Sequence, residues 1–312
     1  MRSALTALFD DRYGHPGEFA VARCAECGFM STEPRMVESD LPALYSEYYP
    51  RGKSTPDGVR RSAETMAIAT RRGRLRAQLV TGQWSAHYEV SPGMRVLDYG
   101  CGDCASLLEI RALGAEPYGL EVDPNVRDLA KALGVRVHIG SLASLPEPDG
   151  TFDAVTLSQV IEHVTDAEGL LRSLWAKLKP GGMIVLTTPN SRALTRRILR
   201  RRWLHWHIPF HQNHFHAAAL HRLLTRAGFR VERSRTFTPV PWWEYQVEML
   251  LQPPKRGRPH PYFERGESRI HASLLGRALL RPVRIAAAIA ARVVDVLGLG
   301  ESLLVVGRKT ST

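Results

Sequence analysis

No stretch of this chain reaches eighteen uncharged apolar residues, so a spanning helix is not expected. The nearest approach, 283–299, is broken by Arg284, Arg292 and Asp295. The start, MRSALTALFDDRYG, has too short an apolar run and two aspartates, which argues against a secretory leader and for residence in the cytoplasm. Cysteine is scarce. Four thiols in 312 residues suit a reducing compartment and do not make a disulfide scaffold. Lysine is scarce too, 6 against 36 arginines. Acidic residues are scarce in one region only. Residues 191–312 carry 22 basic and 7 acidic groups, whereas 1–190 carry 20 and 24. The whole basic excess is therefore C-terminal and points to a regional partner.

Residues 96–104, Val-Leu-Asp-Tyr-Gly-Cys-Gly-Asp-Cys, carry the strongest positive signal. A buried-strand pattern ends in an acid, and two glycines follow with one residue between them. Glycine there permits positive φ and close approach of the backbone to a ligand. The following helix turns its amide donors towards that ligand. Glu121 ends the next strand about 20 residues after Gly102, where a carboxylate can accept from ribose hydroxyls. The dehydrogenase fingerprint requires a third glycine, and Ala105 stands in its place.

VLDYGCGDC, GLEVD, FDAVTLSQVIEHV and LKPGGMIVLTTPN, in this order, resemble the successive motifs of class I S-adenosylmethionine-dependent methyltransferases. The resemblance runs from about Val96 to Val231. It implies S-adenosyl-L-methionine as cofactor and a Rossmann-like α/β fold. The implied sheet has seven strands, mostly parallel with the last antiparallel, and helices on both faces. It also implies cofactor contacts from Asp98, Gly100, Gly102, Glu121, Val122 and Gln159. Family members often have an acid near Ser141; here Ser141-Leu142 must serve by hydroxyl or amide. Cys104 replaces a glycine common in the family. VARCAECGFMSTEPRM resembles a zinc-knuckle-like element that precedes the core in one subgroup, whose members modify quinones, sugars and secondary metabolites. No Cys-x-x-Cys precedes Cys24, so four thiolates cannot assemble and the knuckle reads as degenerate, with His15 as the sole helper. Cys101 and Cys104 lie in the cofactor loop and are not available for a joint zinc site.

The chain divides, on this reading, into an accessory segment with a cofactor lid (1–60), the core (61–237), a basic helical insertion (238–301), and a last strand with the tail (302–312). Residues 51–60 read as a linker and 61–80 as a helix. Strands are expected near 95–99, 117–121, 135–139, 152–157, 183–187, 230–236 and 303–306. Helices are expected near 105–113, 124–133, 167–178 and 217–227. Residues 269–297 are apolar but studded with Arg269, Arg277, Arg281, Arg284 and Arg292, and Pro282 is expected to divide them into two helices. Tyr45, Tyr48 and Tyr49 read as a packed aromatic cluster or as a cover over the cofactor's methionine end.

Methyl transfer to an alcohol or phenol needs a base, and histidine suits neutral pH. His163 follows the fourth core strand. A second source is WLHWHIPFHQNHFH, in which His211 and His214 occupy positions that commonly hold histidine in the family. Catalytic or substrate contact is favoured over metal for these two, and no metal is assigned. His205 and His207 read as surface or membrane-facing. Glu162 reads either as orienting a histidine or as capping a helix N-terminus. Ser158-Gln159-Val160-Ile161 lacks the Pro-Pro-aromatic run typical of amine methylation in the family, which favours an oxygen acceptor, with carbon as the alternative, on a small or lipid-linked molecule. The arginine run 196–202, with Trp203, Trp206, Trp242 and Trp243 nearby, leaves three readings of the basic region: a helical cap, contact with an anionic membrane at the inner face, and nucleic acid. A nucleic-acid methyltransferase and a non-catalytic binding protein are the competing functions. Oligomeric state is not legible.

Overall fold

Two sheets organise the described residues. In chain order their strands are β1 (Arg2–Leu8), β2 (Phe19–Arg23), β3 (Met30–Glu33), β4 (Arg95–Tyr99), β5 (Glu116–Glu121) and β6 (Val137–Ile139). There follow β7 (Phe152–Ser158), β8 (Leu178–Pro189), β9 (Asn213–His214), β10 (Phe229–Phe237) and β11 (Ser302–Lys309). The computed structural model describes residues 1–49, 54–66, 68, 70–265, 268 and 274–310, without the side chains of 38, 42, 65, 66, 71 and 274–281.

The larger sheet has the order β10-β11-β8-β7-β4-β5-β6. Neighbours are parallel except that β11 runs antiparallel to both β8 and β10. Alternation of side chains along each strand sends Val96, Ala154 and Val185 to one face and Leu97, Val155 and Ile184 to the other. The first set packs with Leu107 and Ile110 of the helix Ala105–Ala112 and with Ala130 and Leu133 of Val126–Leu133. The second packs with Leu171 and Leu174 of Ala167–Lys177 and with Leu220 and Leu224 of Ala217–Arg226. A sheet buried on both faces needs apolar residues at nearly every position, as β8 shows. The chain leaves β4 for β5 and β6 on one side and returns to β7 and β8 on the other. The crevice at the carboxyl ends of β4 and β7 is thus the topological switch point, where open α/β sheets take their ligands.

The smaller sheet is antiparallel, in the order β1-β2-β3-β9. Its last strand comes from the histidine-rich segment, with Met30 opposite His214 and Ser31 opposite Asn213. The accessory segment is therefore completed by residues from within the core region.

Three expectations need correction. Residues 56–60 are not linker but the start of a helix, Pro56–Met66, with Pro56 at a position where its missing N–H costs no hydrogen bond; residues 51–53 of that linker lie outside the described residues. The helix expected over 61–80 is broken into Pro56–Met66, Arg71–Arg76 and a π-turn at Ala77–Thr81, with Thr70 capping the second piece through Gly73 N–H. Residues 67 and 69 lie outside the described residues. Pro282 does not divide the last helix, which runs unbroken as Leu274–Val296. Its second half is held in place by Ala288 and Ala291, buried beneath it. Arg269 and the side chains of Arg277 and Arg281 lie outside the described residues.

Candidate active site

The glycine loop joins β4 to the helix Ala105–Ala112 at the switch point. Asp98 is buried, and its carboxylate accepts from Thr156 Oγ1 (2.6 Å) and Ser106 Oγ (2.5 Å), which ties the loop to β7 and to the helix. Burial raises its pKa, while His87 and the two hydroxyls act in the opposite direction. Gly102 has φ +53°, and nothing stands within 4 Å of the place a Cβ would take. A side chain there would fill the space into which a cofactor must come. Cys104 also adopts a left-handed conformation, φ 66°, which explains why glycine is the easier residue at this position. Cys101 and Cys104 are buried free thiols, and hydrogen bonding between them together with burial pushes the Cys101 thiol up.

Glu121 bridges the loop and the next turn. One carboxylate oxygen accepts from Gly102 N–H (3.0 Å), the other from Val122 N–H (2.8 Å) and Asp123 N–H (3.0 Å). Val122 is 65% exposed, an apolar side chain presented to whatever stacks on it. Ser141 and Leu142 begin a short turn closed by a reciprocal pair of bonds between Ser141 and Ser144. Gln159 stands at the carboxyl end of β7. Its amide donates to Thr187 Oγ1 (3.3 Å) and Ser302 Oγ (3.4 Å), and its left-handed backbone (φ 57°) starts the turn that carries Glu162 and His163.

That turn packs directly on the glycine loop, since a Cβ on Gly100 would stand 2.9 Å from Val160 Cγ2. His163 Nδ1 lies 2.8 Å from Tyr45 Oη and 3.1 Å from the Phe210 carbonyl. A carbonyl only accepts, so Nδ1 carries the proton, and Nε2 keeps its lone pair. Burial lowers the His163 pKa to about 4. His211 stands beside it, ring centroids 4.7 Å apart. Its Nδ1 donates to the His205 carbonyl (2.9 Å), and its Nε2 faces His207 Nδ1 at 3.3 Å. Glu162 is fully buried. Oε2 accepts from Thr188 Oγ1 (2.9 Å), Oε1 has no partner, and burial raises the carboxyl pKa to about 8. It neither orients His163 by a hydrogen bond nor caps a helix, because it points into the interior beside β8. Ligand atoms of Glu162, His163 and His211 lie within 4.8 Å of one another, the group among the described residues that could hold a cation.

His214 is turned elsewhere. As part of β9 it is held by Thr32 Oγ1 (3.0 Å) and by the edge of Trp206 (4.9 Å), so the structure places it in the accessory sheet and not beside His163. His205 and His207 are buried, contrary to a surface role, as are Trp203 and Trp206. His205 packs on Trp242 at 4.4 Å, and Trp203 donates to Glu301 (2.9 Å). Burial lowers the pKa of His205 and His214 to about 3.

Aromatic side chains close the chamber. Tyr45 and Tyr49 of the helix Leu41–Glu47 and its end pack on Phe210 at 5.5 and 5.4 Å, and so cover the histidines; Tyr48 packs on His15 instead. Tyr13 joins Tyr49, His207, Phe210 and Phe263. Sequence reasoning missed Tyr13, Phe210 and Phe263, which come together only through the fold. The one sequence signal at hand was Asp10, whose carboxylate accepts from the amides of Arg12, Tyr13 and His15 and so sets the turn bearing Tyr13. Cys24 and Cys27 sit at the β2–β3 turn. No third histidine, cysteine or carboxylate joins them among the described residues, and His216 bonds to the Cys27 carbonyl (3.0 Å) and not to a thiol.

Residues 73–234 match the family model described as "Methyltransferase domain". A protein of Mycolicibacterium smegmatis named "Probable S-adenosylmethionine-dependent methyltransferase" is 37% identical over 142 residues, 45% of this chain and 53% of that protein. The ubiquinone biosynthesis O-methyltransferase of Xanthomonas campestris is 35% identical over 106 residues, 32% of this chain and 44% of that enzyme. The chain thus spans about half the length of these relatives. An S-adenosylmethionine-dependent methyltransferase structure from Mesorhizobium loti aligns over 80% of this chain and 100% of its own, at 20% identity and a TM-score of 0.45.

Proposed function

The chain belongs to the methyltransferase-domain family, and on that premise we propose that it methylates an oxygen of a small or lipid-linked acceptor, with His163 as the base. When bound, S-adenosylmethionine supplies an electrophilic methyl carbon on a sulfonium. Gly102 would give it room, Gly100 lets the Val160 turn close on the loop, Glu121 would accept from its ribose, Val122 and Leu142 would flank its adenine, and Asp98 braces the loop from beneath.

One observation carries the choice of base. His163 Nδ1 is fixed by the Phe210 carbonyl and Tyr45, which leaves Nε2 free to take a proton, on a turn that touches the glycine loop. His211 Nε2 is faced by His207 and is the less available nitrogen. Nε2 would take the acceptor's hydroxyl proton as the oxygen bonds to the methyl carbon and the methyl–sulfur bond breaks, its electron pair staying on sulfur to leave the neutral demethylated thioether; the aromatic walls would hold the acceptor in line and exclude water. These walls suit a hydroxyl on a flat apolar frame. A second reading rests on the unpartnered Oε1 of Glu162. A divalent cation held by Glu162, His163 and His211 would acidify the acceptor hydroxyl directly, and loss of activity on chelation, restored by one metal, favours it.

The lipid-linked form rests on another surface. Ile285, Ile289, Val293 and Val296 form an exposed apolar stripe on the last helix. Leu75, Leu79 and Val80 are exposed nearby, with Arg72 and Arg76 beside them and no acid in either segment before Asp295. Such a face suits an anionic bilayer. Co-sedimentation with anionic vesicles, lost on Ile289→Asp, is expected; protein that stays in solution removes the lipid surface from the reading.

The deciding experiment is calorimetric titration with S-adenosylmethionine and its demethylated product, for wild type and Glu121→Ala. Micromolar binding by wild type and roughly a hundredfold loss in the variant are expected. A folded wild type that binds neither compound overturns the enzyme reading.

A further inference from the structure

The arginine run takes no part in the chemistry above. It forms a short helix, Leu194–Leu199, and one further turn, Arg200–Arg202, before Trp203 enters the interior. Between this segment and the accessory sheet lies a cleft of about 400 Å³. Arg196, Arg197 and Arg200 line one side; Ala4 and Leu5 of β1, Met30 of β3, and Trp206 line the other.

A helix C-terminus accommodates a cation or two, and exposed arginines there need no further cause. This cleft holds more than that. Arg196 Nε is buried without a hydrogen-bond partner. No carboxylate is among the charges acting on the Arg196 guanidinium. Burial, and then Arg197, Arg23 and Arg192, press it below its ordinary pKa. Three arginines thus line a concave, half-apolar space with no acid among its described lining residues. An unpaired buried guanidinium N–H is costly, and an anion that accepts from it removes the cost and the mutual repulsion together.

We propose that this cleft binds a phosphate-bearing molecule, with the phosphate against Arg196, Arg197 and Arg200 and its apolar part against Trp206, Met30 and Leu5. Phosphate suits the site better than a single carboxylate. It offers enough oxygens and charge for three guanidinium groups, whose planar N–H pairs match it in bidentate fashion. The site is separate from the histidine chamber. Trp206, which lines the cleft, stands edge-on to His214 at 4.9 Å, the histidine that Thr32 of the accessory sheet holds apart from His163.

The full chain, saturated with the demethylated cofactor, is titrated with pyrophosphate by calorimetry. Binding to phosphatidylcholine vesicles, with and without phosphatidic acid, is read in the Ile289→Asp background, which removes the apolar stripe of the last helix, and every vesicle comparison below is made in that background. One saturable pyrophosphate site per chain places the ligand among soluble phosphates. Binding only to vesicles with phosphatidic acid places it among lipid headgroups, and either result upholds the cleft. Arg196→Ala/Arg197→Ala is expected to weaken binding at least about tenfold. Ala4→Trp, which fills the cleft and keeps every charge, is expected to do the same and carries the test if the double variant does not fold. Arg72→Ala/Arg76→Ala removes the same charge elsewhere and is expected to leave pyrophosphate binding unchanged. The proposal is overturned if neither ligand binds, if Ala4→Trp binds pyrophosphate or vesicles as wild type does, or if the Arg72/Arg76 control loses pyrophosphate binding equally.

Discussion

The cofactor loop and the histidine chamber adjoin at Gly100 and Val160 but are built in opposite ways. The loop comes from one stretch of chain, Asp98 to Ser106, with Glu121 added from the next strand. Its parts are backbone amides, glycines and short hydroxyls. The chamber draws on Tyr13, Tyr45, His163, Phe210 and Phe263, which are spread across 250 residues of chain. Its parts are large rings that must pack to exist at all. A loop of this kind keeps its shape when a distant side chain changes, whereas a chamber of this kind changes with any of five segments. A fixed cofactor site beside a variable acceptor site follows from that difference in construction.

Each half can be broken alone. The largest effect is expected from His163→Ala, which lowers kcat about 10²- to 10⁴-fold while S-adenosylmethionine affinity stays within about twofold. Single-turnover rates beside equilibrium titration decide this; a variant with full rate removes His163 as base. Gly102→Ala is the converse. Forcing an L side chain into φ +53° costs about 1–2 kcal/mol of stability, and with open space around it the larger loss, at least about tenfold, falls on cofactor affinity. Equal losses in melting and binding would make the loop a folding element only. Tyr45→Phe removes one hydrogen bond from His163 and is expected to cost kcat several-fold, about 1 kcal/mol, with the aromatic packing retained.

The pH dependence sharpens the same contrast. Burial holds the His163 pKa at about 4, so the ring is neutral and able to accept a proton above that value and protonated below it. The acid limb of kcat is expected near 4, well under the ordinary 6.5. A limb at the ordinary value would mean that the chamber is open to water. The smallest effect concerns Glu162. Its folded pKa of about 8 exceeds the ordinary 4.5, so the unfolded chain loses a proton that the folded chain keeps. Stability therefore declines as pH rises between those values. Glu162→Gln is expected to melt increasingly higher than wild type between pH 5 and pH 8, by a few degrees. A constant difference across that range would place the carboxylate in contact with water or a cation.

The core was legible because its signals are local. Strand β4 was expected at 95–99 and stands at Arg95–Tyr99, and the glycine spacing located the loop. Signals that depend on what lies opposite were not legible. His205 and His207 are polar residues expected at a surface, yet they are buried, His205 between Trp203 and Trp242 of the helix Val240–Leu251 and His207 between Tyr13 and Phe210. His211 and His214 are three residues apart in sequence, and the step into β9 sends one ring to His163 and the other to Thr32. Pro282 normally ends a helix, and burial of Ala288 and Ala291 beyond it carries this one through.

The two-residue strand β9 also sets an order of events in time. Residues 2–33 leave the ribosome long before their partner strand, so their sheet lacks its fourth strand until Asn213 and His214 have been made, some 180 residues later. A pairing so distant along the chain is slow to close and leaves a strand edge open to other chains meanwhile. The acceptor chamber is thus among the last parts of the molecule to assemble.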